Sequence, residues 1–441
     1  MPPSDSTTVI APVAATAARV VARPSVGEWL RMAPRSVWVL FDQGMVSLTN
    51  FAASVAVARF AGGEQLGLYF LGFGGLMLAH SVAKALVWTP YTAAVPHKSD
   101  AAKATFTGSA TFFAVAVGLI GSVVALLAAA GCWWLSPASF FPGVLAAVAL
   151  AAPFWLLREH VRRVCLAELR IGEVLLFDIA ACAIQLAAIG LLLVSDQLTG
   201  ATALLTVAAP ALAGFVWLAI RRRRVSISLA QVKRDGAETW PFAKWLGGGA
   251  ASVQAGEQGM RWLMPGLHGL MATGQLAAGQ QIIQLANPLV LGVSNYLGPS
   301  SANVYGEGGL AGLWRHTVRG TYWLVLCGSV ATAGLVTLGP LFARLVFGAD
   351  FEQVDPLLIL SLALGVFSTA AHLPIEFASV ARSRGKLMFW TAILRLTINA
   401  TVGVCLVWLL GPMGVGLGLL AGNSASLAVQ WTALAREVRH A

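Results

Sequence analysis

Charge is scarce in this 441-residue chain: 11% of its residues are Asp, Glu, Lys or Arg, and 57% are hydrophobic. Soluble domains carry roughly 25% charged residues, so the composition excludes an ordinary soluble domain and predicts a polytopic membrane protein. Cysteine is sparse too. Cys132, Cys165, Cys182, Cys327 and Cys405 are scattered with no C-x-x-C pair, which excludes a disulfide framework and a cysteine metal site. The chain has no Walker A motif, no H-E-x-x-H and no nucleophile elbow, the signatures of phosphate-driven pumps, zinc hydrolases and serine hydrolases. We therefore expect no enzyme activity, no cofactor and no metal, and any transport has to be secondary. The N-terminal stretch lacks the charged start, apolar core and cleavage site of a signal peptide; residues 1–36 are expected to be a disordered cytoplasmic tail.

What is present is apolar runs. A spanning helix needs about 20 mostly apolar residues. Twelve segments qualify: 38–58, 66–91, 106–131, 140–157, 174–194, 200–220, 241–264, 272–298, 318–343, 355–380, 387–410 and 413–433. The seventh is the most polar. Basic residues check this count, because cytoplasmic loops are rich in Lys and Arg. With the N-terminus inside, 24 of the 29 basic residues fall on the cytoplasmic side, two (Arg59, Arg344) outside, and three (Lys84, Arg261, Arg395) within spans. The net charge of +10 is thus mainly a topology signal, with anionic lipid headgroups as its neighbours. "RRRR" at 221–224 follows an apolar span directly and reads as part of that signal, not as a nucleic-acid patch.

The longest internal loop, 221–240, sits at the midpoint. It predicts an N-lobe of six spans at 37–220, a cytoplasmic linker at 221–240, a C-lobe of six spans at 241–434 and a cytoplasmic tail at 435–441. An offset of 207 residues supports two related halves: Gly62, Gly67 and Gly72 fall on Gly269, Gly274 and Gly279. The polar stripes align as well. On span 1, Gln43, Ser47, Asn50 and Ser54 share one helix face; on span 7, Gln254, Glu257, Gln258 and Arg261 do. Span 2 carries His80, Ser81 and Lys84, and span 8 carries Gln280, Gln281, Gln284, Asn287 and Ser294. Polar faces in a membrane usually turn to a bundle interior or a water-filled cavity. The expected architecture is all-α: two six-helix lobes around a central cavity lined by spans 1, 2, 7 and 8, with both termini cytoplasmic. Transporters are commonly built from such repeats.

Expected cavity residues are Arg59, Lys84, Glu257, Arg261, Asn50, Gln254, Gln280, Gln284 and Asn287. Asp42 and Glu376 are candidates for ion coupling. Glu257 and Arg261 stand four apart and can pair within the helix, yet a guanidinium has five N–H donors and can also serve a ligand. If that pair is internal, Lys84 and Arg59 leave surplus positive charge, which suits an anionic, hydroxyl-rich substrate. Bland alternatives stand beside these roles: Lys84 pairing with Asp42, Arg59 as an interfacial anchor, Arg395 as structural, Asp42 as a helix cap.

"FDQGMVSLTNFAASVAVARFAGGEQLGLYFLGFG", with Asp42, Asn50, Gly67 and Tyr69, resembles the first hairpin of polysaccharide flippases in the multidrug/oligosaccharidyl-lipid/polysaccharide exporter superfamily. "LANPLVLGVSNYLGPSSANVYGEGG", "LVFGADFEQVDPLLIL" and "GPMGVGLGLLAGNS" look similar too, and the resemblance covers 37–433. It implies flipping of a polyprenyl-pyrophosphate-linked oligosaccharide from inner to outer leaflet of a bacterial cytoplasmic membrane, for surface or exopolysaccharide assembly. The implied partners are the lipid-linked saccharide, membrane lipids, a polysaccharide polymerase and glycosyltransferases. Related lipid II flippases have fourteen spans, which argues against lipid II as cargo. The alternative within the superfamily is a cation-coupled multidrug exporter, whose cation sites use N-lobe acidic residues; Asp42 is the candidate here. A membrane glycan polymerase or ligase would need a sizeable outer loop, and the external loops are short.

Overall fold

A computed structural model describes the backbone of residues 26–440 except 96–97, 137–138, 222–224, 352–353 and 383, and their side chains except at 26–37, 39–40, 93, 100–101, 242, 287–289, 291–296, 298–299 and 349. The described chain is all-helical. Helix α1 is Val26–Phe60 and α2 is Gly63–Ala83, which continues through a π-helical turn, Lys84–Trp88, into Thr89–Ala94. Then come α3 (Asp100–Leu135), α4 (Phe141–Ala167), α5 (Ile171–Val194) and α6 (Gly200–Thr206, resumed as Ala211–Ile220). The long α7 (Leu229–Gln284) bends at Gly269, and α8 (Asn287–Phe347) bends at Gly309. α9 (Pro356–Ala381), α10 (Gly385–Ile398, a π-helical turn Asn399–Gly403, then Val404–Leu410) and α11 (Pro412–His440) complete the chain. Nine of these helical segments, among the described residues, are long and apolar enough to cross a membrane. Their exposed faces carry large apolar side chains such as Leu127, Leu191, Leu212 and Leu409, as lipid contact requires. This is a multi-pass membrane protein.

The expected spans fall on these helices, except that the sixth (200–220) is interrupted at 207–210 and the eighth (272–298) at 285–286; three further differences follow. The first helix begins at Val26, so 26–36 are helical; the tail before them lies outside the described residues. The fourth span does not end at 157 but runs to Ala167, taking Arg158, Arg162 and Arg163 into the helix. The linker is half helix: α7 starts at Leu229, and Ser226 N–H donates to the Ala104 carbonyl of α3 (3.0 Å). Of "RRRR", residues 222–224 lie outside the described residues.

Two compact units emerge. One comprises 35–281 and 340–354; the other comprises 282–339 and 355–441, with 26–34. The first unit therefore holds the opening spans of both sequence halves. The reason is a close helix contact at the glycines that the 207-residue offset pairs. Gly62 (φ 94°, ψ 170°) starts α2, and Gly269 (φ 85°, ψ 171°) starts the second arm of α7. Both adopt a conformation that only glycine takes readily, so the repeat extends to backbone dihedrals. Five residues on, a Cβ at Gly67 would stand 2.8 Å from the Leu270 carbonyl oxygen, and one at Gly274 would run into the Gly63 carbonyl. The two arms meet backbone to backbone, as small residues allow in membranes.

Helix α4 shows how a mid-span proline is accommodated. Pro153 has no N–H to give the Ala149 carbonyl. Ser122 Oγ of α3 donates to that carbonyl instead (2.6 Å). In the other unit, Leu313, Ile375, Ala378 and Leu434 are fully buried where α8, α9 and α11 meet, beside an edge-on Trp314–Trp431 pair.

Candidate functional site

Arg158 and Arg162 stand four apart on α4, hence on one face. That face meets α5 and α1. Arg158 Nη2 donates to Asp178 Oδ1 (3.0 Å), and Arg162 Nε to Asp178 Oδ2 (2.6 Å). Arg162 Nη2 reaches Asp42 Oδ2 (2.5 Å), and Arg158 Nη1 reaches Glu159 Oε1 (2.8 Å). Asp178 is fully buried, and the other four side chains nearly so. His80 of α2 lies 4.0 Å from Glu159, with its ring against Trp88 and Trp155. Arg163 lies over the Trp88 ring. The Gln43 amide lies against the Arg162 guanidinium. Three carboxylates thus face two guanidinia, with Arg163 stacked beside them on Trp88. An ionised group alone in a membrane costs several kcal/mol; this cluster offsets the cost by mutual pairing and charge-assisted hydrogen bonds.

A second polar region, also within the first unit, joins the stripes of both halves. Gln258 Nε2 donates to Gln254 Oε1 (3.3 Å), and Arg261 Nη1 donates to Gln258 Oε1 (3.1 Å). The Arg261 guanidinium lies over the Phe70 ring of α2 (5.6 Å), and its Nε is buried with no hydrogen-bond partner. Gln258 packs on Gly74, where a Cβ would stand 2.5 Å from its Oε1. Between α7 and α1, Gln281 Nε2 donates to Ser54 Oγ (3.0 Å), and between α5 and α1 Gln185 Nε2 approaches Asn50 Oδ1 at 3.5 Å. Gln280 is buried with its Nε2 unpartnered. Trp262 stacks on Phe141 beside this seam.

The expected residues sort as follows. Gln254 and Arg261 lie on either side of Gln258 on α7, against α2, Asn50 of α1 faces Gln185 of α5, and Gln280 is buried on the second arm of α7. Glu257 is half-buried one turn before Arg261, Lys84 is exposed at the start of the π-helical turn, and Gln284 is exposed at the end of α7. The side chain of Asn287 lies outside the described residues. Arg59 is held elsewhere: its Nε donates to the Val346 carbonyl (2.7 Å) and its Nη2 to that of Leu345. Asp42 belongs to the ion cluster. Glu376, in the other unit, accepts from His372 Nδ1 (3.0 Å), with Arg395 Nη1 at 3.9 Å.

Sequence reasoning missed Arg158, Glu159, Arg162 and Asp178. The signal was present. Asp178 interrupts the apolar run "VLLFDIAAC", and an intramembrane acid calls for a partner. The arginines were assigned to a loop because hydropathy falls before the helix does. Among the described residues, no group of three or more His, Cys, Asp or Glu side chains is placed to hold a metal ion.

No protein-family model matches the chain, and no curated protein matches it either. Solved structures do. A multidrug-resistance MATE-family transporter of the MOP superfamily, in its inward-facing conformation, superposes with a TM-score of 0.69 at 13% identity, covering 98% of each chain. Its family's outward-facing conformation gives 0.61 at 14% identity, covering 93% of this chain and 95% of that one. A MOP-superfamily transporter from Pyrococcus furiosus Vc1 (DSM3638), described as having a binding pocket of reverse polarity that suggests a different function, gives 0.58 at 14% identity, covering 92% of this chain and 95% of that one. The chain has the fold of these transporters.

Proposed function

We propose that the chain is a secondary transporter working by alternating access, and that it flips an anionic lipid-linked saccharide from the inner to the outer leaflet of a bacterial cytoplasmic membrane. The observation that carries this reading is the seam: a guanidinium set among glutamine amides, with a buried Nε still to be satisfied. Arginine forks match phosphate oxygens, and amides match sugar hydroxyls. Arg261 and Lys84 screen the phosphates, Asn50, Gln254 and Gln280 contact sugar, and the lipid tail stays in the bilayer. Arg59 drops out of this set because its donors serve helix carbonyls. Both termini, the α2–α3 turn and the α4–α5 turn face the cytoplasm, as the basic residues indicate.

The second reading is a cation-coupled multidrug exporter, favoured by the multidrug-resistance MATE transporters with which the fold is shared. Against it stands the ion cluster. The first-half acids that would take a cation, Asp42 and Asp178, already hold Arg162 and Arg158.

The test uses cells lacking the protein. Membrane lipids are extracted and any polyprenyl-linked saccharide that builds up is identified by mass. Wild type, Arg261→Ala and Lys84→Ala are then re-expressed. Build-up cleared by wild type and by neither variant supports the flippase and names its cargo. No build-up, with altered drug tolerance instead, moves the assignment to the exporter.

A further inference from the structure

The turn after α1 and the turn after α8 cap each other. The last carbonyls of a helix and its first N–H groups have no partner within the helix. Arg59, at the end of α1, donates to the Leu345 and Val346 carbonyls at the end of α8. Asp350, just past α8, accepts from the N–H of Gly63 at the start of α2 (3.1 Å). A cation sits at a helix C-terminus and an anion at an N-terminus, the favourable sense for both helix dipoles. Behind them Phe51 of α1 packs on Phe342 and Phe347 of α8, and Phe347 packs on Phe351. Gly63 also faces Met271 of α7, where a Cβ would stand 2.7 Å from the sulfur. Three hairpin turns, one from each of α1–α2, the α7 bend and α8–α9, therefore meet at the end where the Gly67–Gly274 contact closes α2 on α7. All of these residues lie in one compact unit.

We propose that Arg59 and Asp350 form an outer latch: together they tie the α1–α2 turn to the end of α8 and so keep the adjoining α2–α7 contact closed on the external side, and they must release before the transporter opens outward. Both side chains are exposed, so water can replace either bond when the seam parts. The latch rests on the transporter reading for its role in the cycle, but its test needs no cargo.

The probe is Thr273→Cys in the full-length chain with its five native cysteines replaced by alanine. Thr273 is fully buried against Gly67. A membrane-impermeant maleimide is added outside spheroplasts, and labelling rates are compared for the parent, Arg59→Ala, Asp350→Ala and Arg59→Lys. We expect slow labelling in the parent. Either alanine variant should label roughly tenfold faster, as the loss of one charge-assisted hydrogen bond gives, and Arg59→Lys should fall between. The double variant should label little faster than the more affected single one, since both bonds hold one closed state. Melting midpoints in detergent identify a variant that has lost its fold; its partner variant then decides. Parent-like labelling in a folded Arg59→Ala or Asp350→Ala chain overturns the latch, as does labelling from the cytoplasmic side alone. Parent-like labelling with normal clearance of carrier lipid rejects the latch and keeps the flippase. Faster labelling without any carrier-lipid build-up keeps the latch and rejects the flippase.

Discussion

The two compact units solve the problem of polar groups in a membrane in opposite ways. In the first, Asp42, Glu159 and Asp178 meet Arg158 and Arg162 in a network of charge-assisted bonds. In the second, the buried polar groups are mostly neutral. Asn423 Nδ2 donates to Ser368 Oγ and Thr369 Oγ1 (2.8 Å each), Gln430 Nε2 donates to Thr391 Oγ1 (2.9 Å), and His372 lies between Glu376 and Ser426. The difference lies in how each fails. Removing one partner of a buried ion pair strands a charge and costs about 3–5 kcal/mol. Removing one interhelical amide or hydroxyl bond in a membrane costs about 0.6 kcal/mol on average, because the same groups also find partners in the unfolded state within the membrane. The ion pairs tie α1, α4 and α5 together, while each bond of the second core carries little stability of its own.

The sharpest way to break this contrast is Arg162→Met. It strands Asp42 and leaves Asp178 with Arg158 alone, and we expect about 3–5 kcal/mol of destabilisation, read as a large drop in melting midpoint in detergent. Adding Asp42→Asn to that chain should recover most of the loss, since Asp178 keeps Arg158. A single Arg162→Met that melts like wild type would show that the charges are not paired. Next comes the close contact between the repeats. Gly274→Val places side-chain atoms where the Gly63 carbonyl stands, and overpacking of this kind costs about 1–3 kcal/mol. The same change at Gly334, whose Cβ position is open, should cost far less, and equal melting losses would remove the role given to the Gly67–Gly274 contact.

Smaller effects sharpen the comparison. Leu169, in the turn between α4 and α5, has φ 57°. Non-glycine residues pay about 1–2 kcal/mol there, so Leu169→Gly should raise the melting midpoint by a few degrees; a fall would mean that its side chain, exposed as it is, packs usefully. Asn423→Ala in the second core is expected to cost about 0.6 kcal/mol. A loss matching that of Arg162→Met would erase the distinction between the two cores.

Much of the architecture was legible because a membrane punishes polarity so heavily. Span positions, the polar stripes of α1 and α7 and the glycines at the 207-residue offset all stand in the sequence. Gly62 and Gly269 are the clearest instance, since their shared backbone conformation follows from residue type. The ends of helices were less legible. Hydropathy drops at Arg158, but the backbone hydrogen bonds of α4 continue to Ala167; a charged residue does not end a helix when a partner waits across the interface. Of the two roles that the sequence left open for Arg59, cavity cation or interfacial anchor, local sequence could not choose, because it shows nothing of the carbonyls, 286 and 287 residues away, that Arg59 caps.

The sequence by itself determined that this chain lives in a membrane, that it is helical throughout its described length, and that its two halves are related. These follow from transfer free energies and helical periodicity, which depend on each residue and its near neighbours. Tertiary structure alone decided which charges neutralise one another and which do not. Arg162 and Arg261 are both arginines within apolar helices. One is bound to Asp42 and Asp178, the other lies over Phe70 with a donor to spare. Coulomb energy depends on the distance between groups, and residues 120 apart in sequence come within 2.5 Å only after the helices have packed.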